Sequence, residues 1–95
     1  MQEVKRGVGR LWIGDDEKNP LAVIEYKPFK EDVYVVTSTR VRPELRGQSI
    51  AGILLDELSD LAREEGFKLK AQCSYVVKKF DVDSKYDDVN VEKQS

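Results

Sequence analysis

The 95-residue sequence contains no histidine and a single cysteine, Cys73. Without histidine, the chain lacks the usual general base, the usual zinc ligand and the central residue of Ser-His and Cys-His triads. One cysteine cannot form an internal disulfide bond or a zinc site built from several thiolates. Candidates for catalytic chemistry are therefore limited to the lone thiol, phenols, carboxylates and backbone groups.

Long hydrophobic runs are also absent. Charged residues make up 36% of the chain, and no segment is apolar over the length that a membrane helix needs. The N-terminus lacks the apolar core of a secretory signal, so we expect a cytoplasmic protein. The net charge of -2 argues against a protein that neutralises a nucleic-acid backbone. We therefore expect neither a membrane nor a nucleic acid as a partner.

The length of the chain leaves room for one hydrophobic core. We expect a single domain over residues 1–95, with frayed ends at residues 1–8 and 91–95. Residues 10–13, 21–26 and 33–41 read as three strands, and the third shows the clearest apolar alternation. Short loops join them, which predicts an antiparallel meander. A short sheet of this kind is compatible with a monomer or with a homodimer that covers an edge strand.

A long amphipathic helix follows at residues 49–65. Its predicted buried stripe has a 3.6-residue period and consists of Ile50, Ile53, Leu54, Leu58 and Leu61. Gly66 ends the helix, residues 68–71 form a fourth strand parallel to the third, and residues 73–80 form a short helix. The predicted fold is α+β: a mainly antiparallel twisted sheet, one long helix packed on it and a short C-terminal helix.

The junction between the third strand and the long helix is a candidate anion site. A glycine-bearing turn at a helix N-terminus exposes unpaired N–H donors at the positive end of the helix dipole. Such a turn favours a phosphate group, here most simply a pyrophosphate. Used only for its backbone, the same turn would be a plain strand-to-helix connection. The residues concerned are Arg46, Gly47, Gln48, Ser49, Ile50 and Ala51.

Residues 41–51 resemble the acyl-CoA-binding signature of the GNAT superfamily of N-acetyltransferases, in which Arg or Gln is followed by x-x-Gly-x-Gly/Ala. Here the signature reads Arg46-Gly47-Gln48-Ser49-Ile50-Ala51, after the lead-in Val41-Arg42-Pro43-Glu44-Leu45. Ser49 stands where the family usually has glycine. Residues 64–69 together with Cys73, Tyr75 and Tyr86 resemble a compact subgroup of about this length, so the resemblance extends over residues 9–90. Where that subgroup often has His-Thr-Glu, this chain has Ser38-Thr39-Arg40.

The resemblance implies a GNAT-like fold and an acetyl-CoA or coenzyme A cofactor. The third and fourth strands would splay apart, and the backbone of the third strand would pair with the pantetheine arm. The pyrophosphate would lie on the amides of residues 46–51. Arg40 and Arg42 would either attract the phosphates or remain solvated. The strand residues implied as cofactor-binding are Thr39, Arg40 and Val41.

Four residues are candidates for the chemical step. Cys73 is either a buried structural thiol, a transient acetyl carrier or the acid that protonates the leaving thiolate. Tyr75 or Tyr86 could be that acid instead, although Tyr75 could equally pack against the long helix. Glu25, a carboxylate among the apolar residues of the second strand, could accept the proton of an amine, or it could be an ordinary strand residue facing solvent.

The function implied by the resemblance is acetyl-CoA-dependent transfer of an acetyl group to a primary amine on a small molecule or a protein. The alternative is a non-catalytic acyl-CoA-binding or protein-interaction module. It draws support from the missing histidine, from Ser49 in place of glycine and from Arg40 in place of an acid.

Overall fold

The computed structural model describes residues 3–93, in which five strands form one sheet in the order of the sequence. The first four strands pair antiparallel, and the last strand pairs parallel to the fourth. The α+β architecture with a mainly antiparallel sheet was predicted and is confirmed, and so is the parallel pairing of the strand at residues 68–71 with the strand at residues 33–41. The strands are β1 (Lys5–Gly7), β2 (Arg10–Ile13), β3 (Ala22–Lys30), β4 (Val33–Val41) and β5 (Lys68–Ala71).

Both ends of the chain that we expect to fray carry secondary structure in their described parts. Lys5–Gly7 forms β1 and pairs with β2, because Gly9 adopts a positive φ of 73° that closes a tight turn between them. Val91–Lys93 forms a turn of 3-10 helix. Residues 1–2 and 94–95, which the same expectation included, lie outside the described residues.

A β-bulge interrupts the pairing of β3 with β4. The pair Glu25–Ser38 is followed by the pair Tyr26–Val36, so Thr37 is the extra residue on β4. An extra residue reverses the alternation of side chains along a strand. Val36 before the bulge and Thr39 after it therefore face the same side of the sheet.

The two helices, α1 (Ile50–Glu65) and α2 (Ser74–Val82), pack on one face of the sheet. We call it the core face. Gly66 ends α1 in the left-handed conformation, as predicted. The strands contribute Leu11, Ile13, Ala22, Ile24, Val36 and Leu69 to the core, α1 contributes Ile50, Leu54, Leu55, Leu58 and Ala62, and α2 with the C-terminal segment contributes Val76, Phe80, Tyr86 and Val89.

The predicted stripe of α1 was wrong at one position. Ile53 is 37% exposed, whereas Leu55, which the stripe left out, is fully buried. Leu54 and Leu55 are both buried because the helix is covered over a wider arc than a narrow stripe. Among the described residues, no helix is long and apolar enough to cross a membrane.

Burial on α1 predicts a clear contrast between two truncations. Leu55→Ala removes a fully buried side chain and should lower the free energy of unfolding by about 2–5 kcal/mol. Ile53→Ala removes a partly exposed side chain from the same helix and should cost less than about 1 kcal/mol. Urea unfolding of both variants measures the two values. Equal losses would mean that the rotation of α1 about its axis is incorrect.

Candidate functional site

The pairing of β4 with β5 stops halfway along β4. It covers Val33–Val36, and there the backbone N–H groups of Gln72 and Cys73 both donate to the carbonyl of Val36, at 3.2 and 3.0 Å. The chain then turns into α2. The second half of β4, residues 37–41, thus extends past the end of β5.

The free edge of β4 is formed by Thr39 and Val41. The N–H of Arg42 donates to the carbonyl of Leu21 at 2.9 Å, so the backbone groups of Arg42 point toward β3. Because successive residues in a strand point their backbone groups to opposite edges, those of Thr39 and Val41 point away from β3, toward the side that β5 has left. The carbonyl of Val41 accepts the Nε–H of Arg46 at 3.3 Å. An extended chain could pair with this edge.

The candidate anion site lies directly after β4. A single 3-10 turn, Pro43–Leu45, is closed by the Arg46 N–H, which donates to the carbonyl of Pro43 at 3.2 Å. Gly47 (φ 86°) and Ser49 (φ 59°) both adopt left-handed backbone conformations before α1 begins. Residues 46–49 are exposed, and the first N–H groups of α1 have no acceptor in the preceding helical turn. Exposed amides at a helix N-terminus suit a phosphate.

Ser49 occupies a conformation that normally belongs to glycine. Its hydroxyl makes no capping hydrogen bond to α1, so the capping role open to a serine at this position is not used. A non-glycine residue in the left-handed region costs about 1–2 kcal/mol. The resemblance leads us to expect glycine at this position. The left-handed backbone conformation favours glycine here, in addition to the space that a ligand needs.

Cys73 lies where the chain passes from β5 into α2, next to Thr39 of β4. It precedes the first residue of α2, and its Sγ is 3.5 Å from the Oγ1 of Thr39. Partial burial alone would raise the pKa of the thiol. The Thr39 hydroxyl and the backbone N–H groups of Val76, Tyr75 and Thr39 outweigh this effect, and the net result is a lowered pKa. The thiol is thus placed at the free edge of β4 with donors that favour its thiolate.

The two tyrosines differ in their surroundings. The hydroxyl of Tyr75 reaches the first turn of α1, where a β-carbon added to Gly52 would lie 3.5 Å from it. Burial, followed by the charge of Asp56, raises the pKa of Tyr75. The hydroxyl of Tyr86 donates to Asp56 at 2.6 Å, and burial together with this bond raises its pKa well above the ordinary value. Tyr86 is thus committed to a carboxylate within the fold.

Glu25 lies on the opposite face of the sheet from Cys73. Its carboxylate accepts the Ser38 hydroxyl at 2.7 Å and forms ion pairs with Arg10 at 2.9 Å and with Arg40 at 3.3 Å. Ser38 and Arg10 are its directly opposite cross-strand partners. Neither partner can be predicted from the sequence, since only the strand register brings them to Glu25. The predicted site residues therefore form two groups, with Thr39 and Cys73 on the core face and Glu25 and Arg40 on the other.

Comparisons with known proteins identify a family and a similar solved structure. Residues 10–89 match the model of the family described as GCN5-related N-acetyltransferase. A solution NMR structure of a candidate GCN5-like N-acetyltransferase from Staphylococcus aureus superposes with a TM-score of 0.80 at 35% sequence identity, covering 93% of this chain and 86% of that one. A comparison with curated proteins finds no match.

The left-handed conformation of Ser49 gives the first prediction for this site. Ser49→Gly should raise the free energy of unfolding by about 0.5–1 kcal/mol, since relief of the strain exceeds the added entropy of the unfolded chain. It should also tighten binding of coenzyme A, because it clears the exposed amides. Asp32→Gly is the matched control: Asp32 has the same φ of 59° in the β3–β4 turn and no part in the anion site. If both variants bind coenzyme A more tightly, the gain does not come from the amides next to residue 49.

The environment of Cys73 gives a second prediction. The rate of alkylation by iodoacetamide should rise with pH with a midpoint below 9.0, the ordinary value for this thiol. Thr39→Val removes the hydroxyl that stabilises the thiolate, so the midpoint should move upward and alkylation at pH 7 should slow. Thr37→Val, the same change on the bulge residue whose hydroxyl bonds the Glu25 carbonyl, should leave the midpoint in place. An unchanged midpoint in Thr39→Val would show that this hydroxyl does not act on the thiol.

Proposed function

The chain belongs to the GCN5-related N-acetyltransferase family, and from that premise we propose that it transfers an acetyl group from acetyl-CoA to a primary amine. The observation that carries the proposal is the free edge of β4. Backbone groups of Thr39 and Val41 point to the side that β5 has left, and the exposed residues 46–49 before α1 follow within ten residues. A ligand with an amide-bearing arm and a pyrophosphate needs a free strand edge for the arm and, next to it, a site for the pyrophosphate.

The residues present fit coenzyme A. Nothing lies within 4 Å of the position where a β-carbon of Gly47 would be, so the turn is open to a bulky group. The amides of residues 47–51 would hold the pyrophosphate, and the side chain of Arg46 would add a positive charge. The backbone carbonyls of Thr39 and Val41 would accept the N–H groups of the pantetheine arm, which would lie along β4 as an added strand.

Acetyl-CoA, when bound, supplies the acetyl group as a thioester whose C–S bond breaks as the C–N bond to the amine forms, and the proton lost by the amine ends on the released thiol. The chain would contribute position first, since holding two reactants together can account for a large part of a rate enhancement. The N–H of Val41 would donate to the acyl oxygen, where negative charge develops.

Cys73 is our first choice for the proton that the released thiolate requires. Its thiol lies at the free edge of β4, and its lowered pKa makes it a stronger acid than an ordinary cysteine thiol. Tyr75 is the second choice, because its hydroxyl reaches the first turn of α1. Glu25 is the proposed acceptor of the proton from the amine, held in place by Ser38, Arg10 and Arg40.

One observation favours a second candidate, a non-catalytic acyl-CoA-binding module. Both carboxylate oxygens of Glu25 are engaged, Oε1 by Ser38 and Arg40 and Oε2 by Arg10. These contacts would have to rearrange before either oxygen could take a proton from an amine. Such a protein would bind acetyl-CoA and not turn it over.

A combined binding and turnover experiment tests the proposal. Acetyl-CoA should raise the melting temperature of the purified protein, with a stabilisation of about 2.7 kcal/mol at a ligand concentration of a hundred times Kd. Release of free thiol from acetyl-CoA should depend on an added primary amine. Cys73→Ser should retain the thermal shift and lose the amine-dependent release.

Each outcome separates the candidates. A thermal shift without turnover on a broad set of amines would leave the binding module. Absence of any thermal shift would overturn both. Full turnover by Cys73→Ser would remove Cys73 from the mechanism and direct attention to Tyr75, where Tyr75→Phe is the corresponding test.

A further inference from the structure

A positively charged cavity lies next to the free edge of β4 and does not include the candidate anion site at residues 46–51. Its volume is about 430 Å³, within the range of small-molecule sites. Four basic side chains line it, and none of the described residues that line it is acidic. We call it the cationic cavity. The basic side chains are those of Arg10, Lys18, Arg40 and Arg42.

The charge in the cavity is only partly neutralised by its surroundings. Glu25 pairs with Arg10 and Arg40, and Glu17 lies 4.0 Å from Arg10. Four positive charges less these two carboxylates leave an excess of two. The Asp16 carboxylate accepts the backbone N–H of Lys18 and does not line the cavity. Unbalanced guanidinium and ammonium groups around a concave space favour an anionic ligand.

Arg42 and Lys18 carry the unbalanced charge. Arg42 donates to the backbone carbonyl of Pro20 at 3.2 Å and to the side chain of Asn19, both neutral oxygens. Among the described residues, no carboxylate forms a salt bridge with Arg42 or Lys18. Arg42 is thus held in position by neutral groups and keeps its charge for a ligand.

The cavity is also in the right place for an acceptor. Arg40 and Val41 line it, and Val41 belongs to the free edge beside which the acyl group would lie. Arg40 is the cross-strand partner of Val23, so it points to the face opposite the core face, which both helices occupy. A molecule in the cavity would approach the free edge of β4 from the side that the helices leave open.

We propose that the acceptor is a small amine that also carries a carboxylate or phosphate group, and that this anionic group binds in the cationic cavity. The inference rests on the proposed acetyl transfer and narrows its substrate class. Polyamines and other polycations are disfavoured, because their additional positive charges would face Arg40, Arg42 and Lys18.

The first test compares amines that differ only in a carboxylate. Lysine and cadaverine form one pair, and ornithine and putrescine form another. The carboxylate-bearing member should have a kcat/KM at least tenfold higher in each pair. Lys18→Gln and Arg42→Gln should each reduce this ratio toward one, mainly through KM. Arg6→Gln is the matched control, since it removes one cation from a surface ion pair with Glu64 outside the cavity.

A second measurement does not depend on turnover. With coenzyme A present, NMR titration with N-acetyllysine should shift the guanidinium Nε–Hε signals of Arg40 and Arg42, and N-acetylcadaverine should shift them much less. Lys18→Gln should weaken the N-acetyllysine titration at an unchanged melting temperature. If N-acetyllysine binds in this way but no acetyl transfer is found with any amine, the proposed function is refuted and the assignment of the cavity as an anion site stands.

Two results would overturn the inference. Equal kcat/KM within both pairs would show that the anionic group is not recognised, while the acetyltransferase proposal would stand. If Lys18→Gln and Arg42→Gln instead weaken binding of coenzyme A and leave binding of dephospho-coenzyme A unchanged, the cavity serves the 3′-phosphate of the cofactor.

Discussion

The candidate site depends on the point at which β4 loses its second partner. At Val36 one carbonyl oxygen accepts two N–H groups, those of Gln72 and Cys73, which uses both of its lone pairs and ends the ladder. One residue later the bulge at Thr37 shifts the register against β3. The next strand residues keep β3 on one side and have no paired strand on the other. Had β5 continued for four more residues, the free edge would be an ordinary parallel pairing with no access for a ligand.

The anion site follows from a second backbone constraint. Gly47 and Ser49 both have positive φ, which turns the chain sharply from β4 into α1 and leaves the intervening amides exposed. Here the conformation matters more than the side chains, since a serine holds the place of a glycine without making a cap. The rest of α1, with five buried apolar residues, supplies enough packing free energy to hold one strained position.

Patterns with a strong period could be read from the sequence, and details of register could not. The alternation in residues 33–41 and the helical period in residues 49–65 identified β4 and α1 because their apolar residues recur over several repeats. β1 was missed because three residues with two charges, Lys5–Gly7, carry no such signal. The bulge at Thr37 is a shift between two strands, so neither strand alone reveals it. The partners of Glu25 could not be predicted for the same reason: Arg10 and Ser38 are identified only once the pairing of the strands is known.

The alternation of β4 beyond the bulge divides the proposed chemistry between the two faces of the sheet. Thr39 points to the core face and contacts Cys73, whereas Ser38 and Arg40 point to the other face and contact Glu25. A group that transfers a proton to a departing thiolate and a group that selects an incoming amine would therefore lie on opposite sides of one strand edge. Because α1 and α2 fill the core face, the open approach is from the side of the cationic cavity. On this arrangement the charges of Arg42 and Lys18 would act on the acceptor before any chemistry begins. Glu25, which pairs with Arg10 and Arg40 on the same face, would then couple binding of the acceptor to loss of its amine proton.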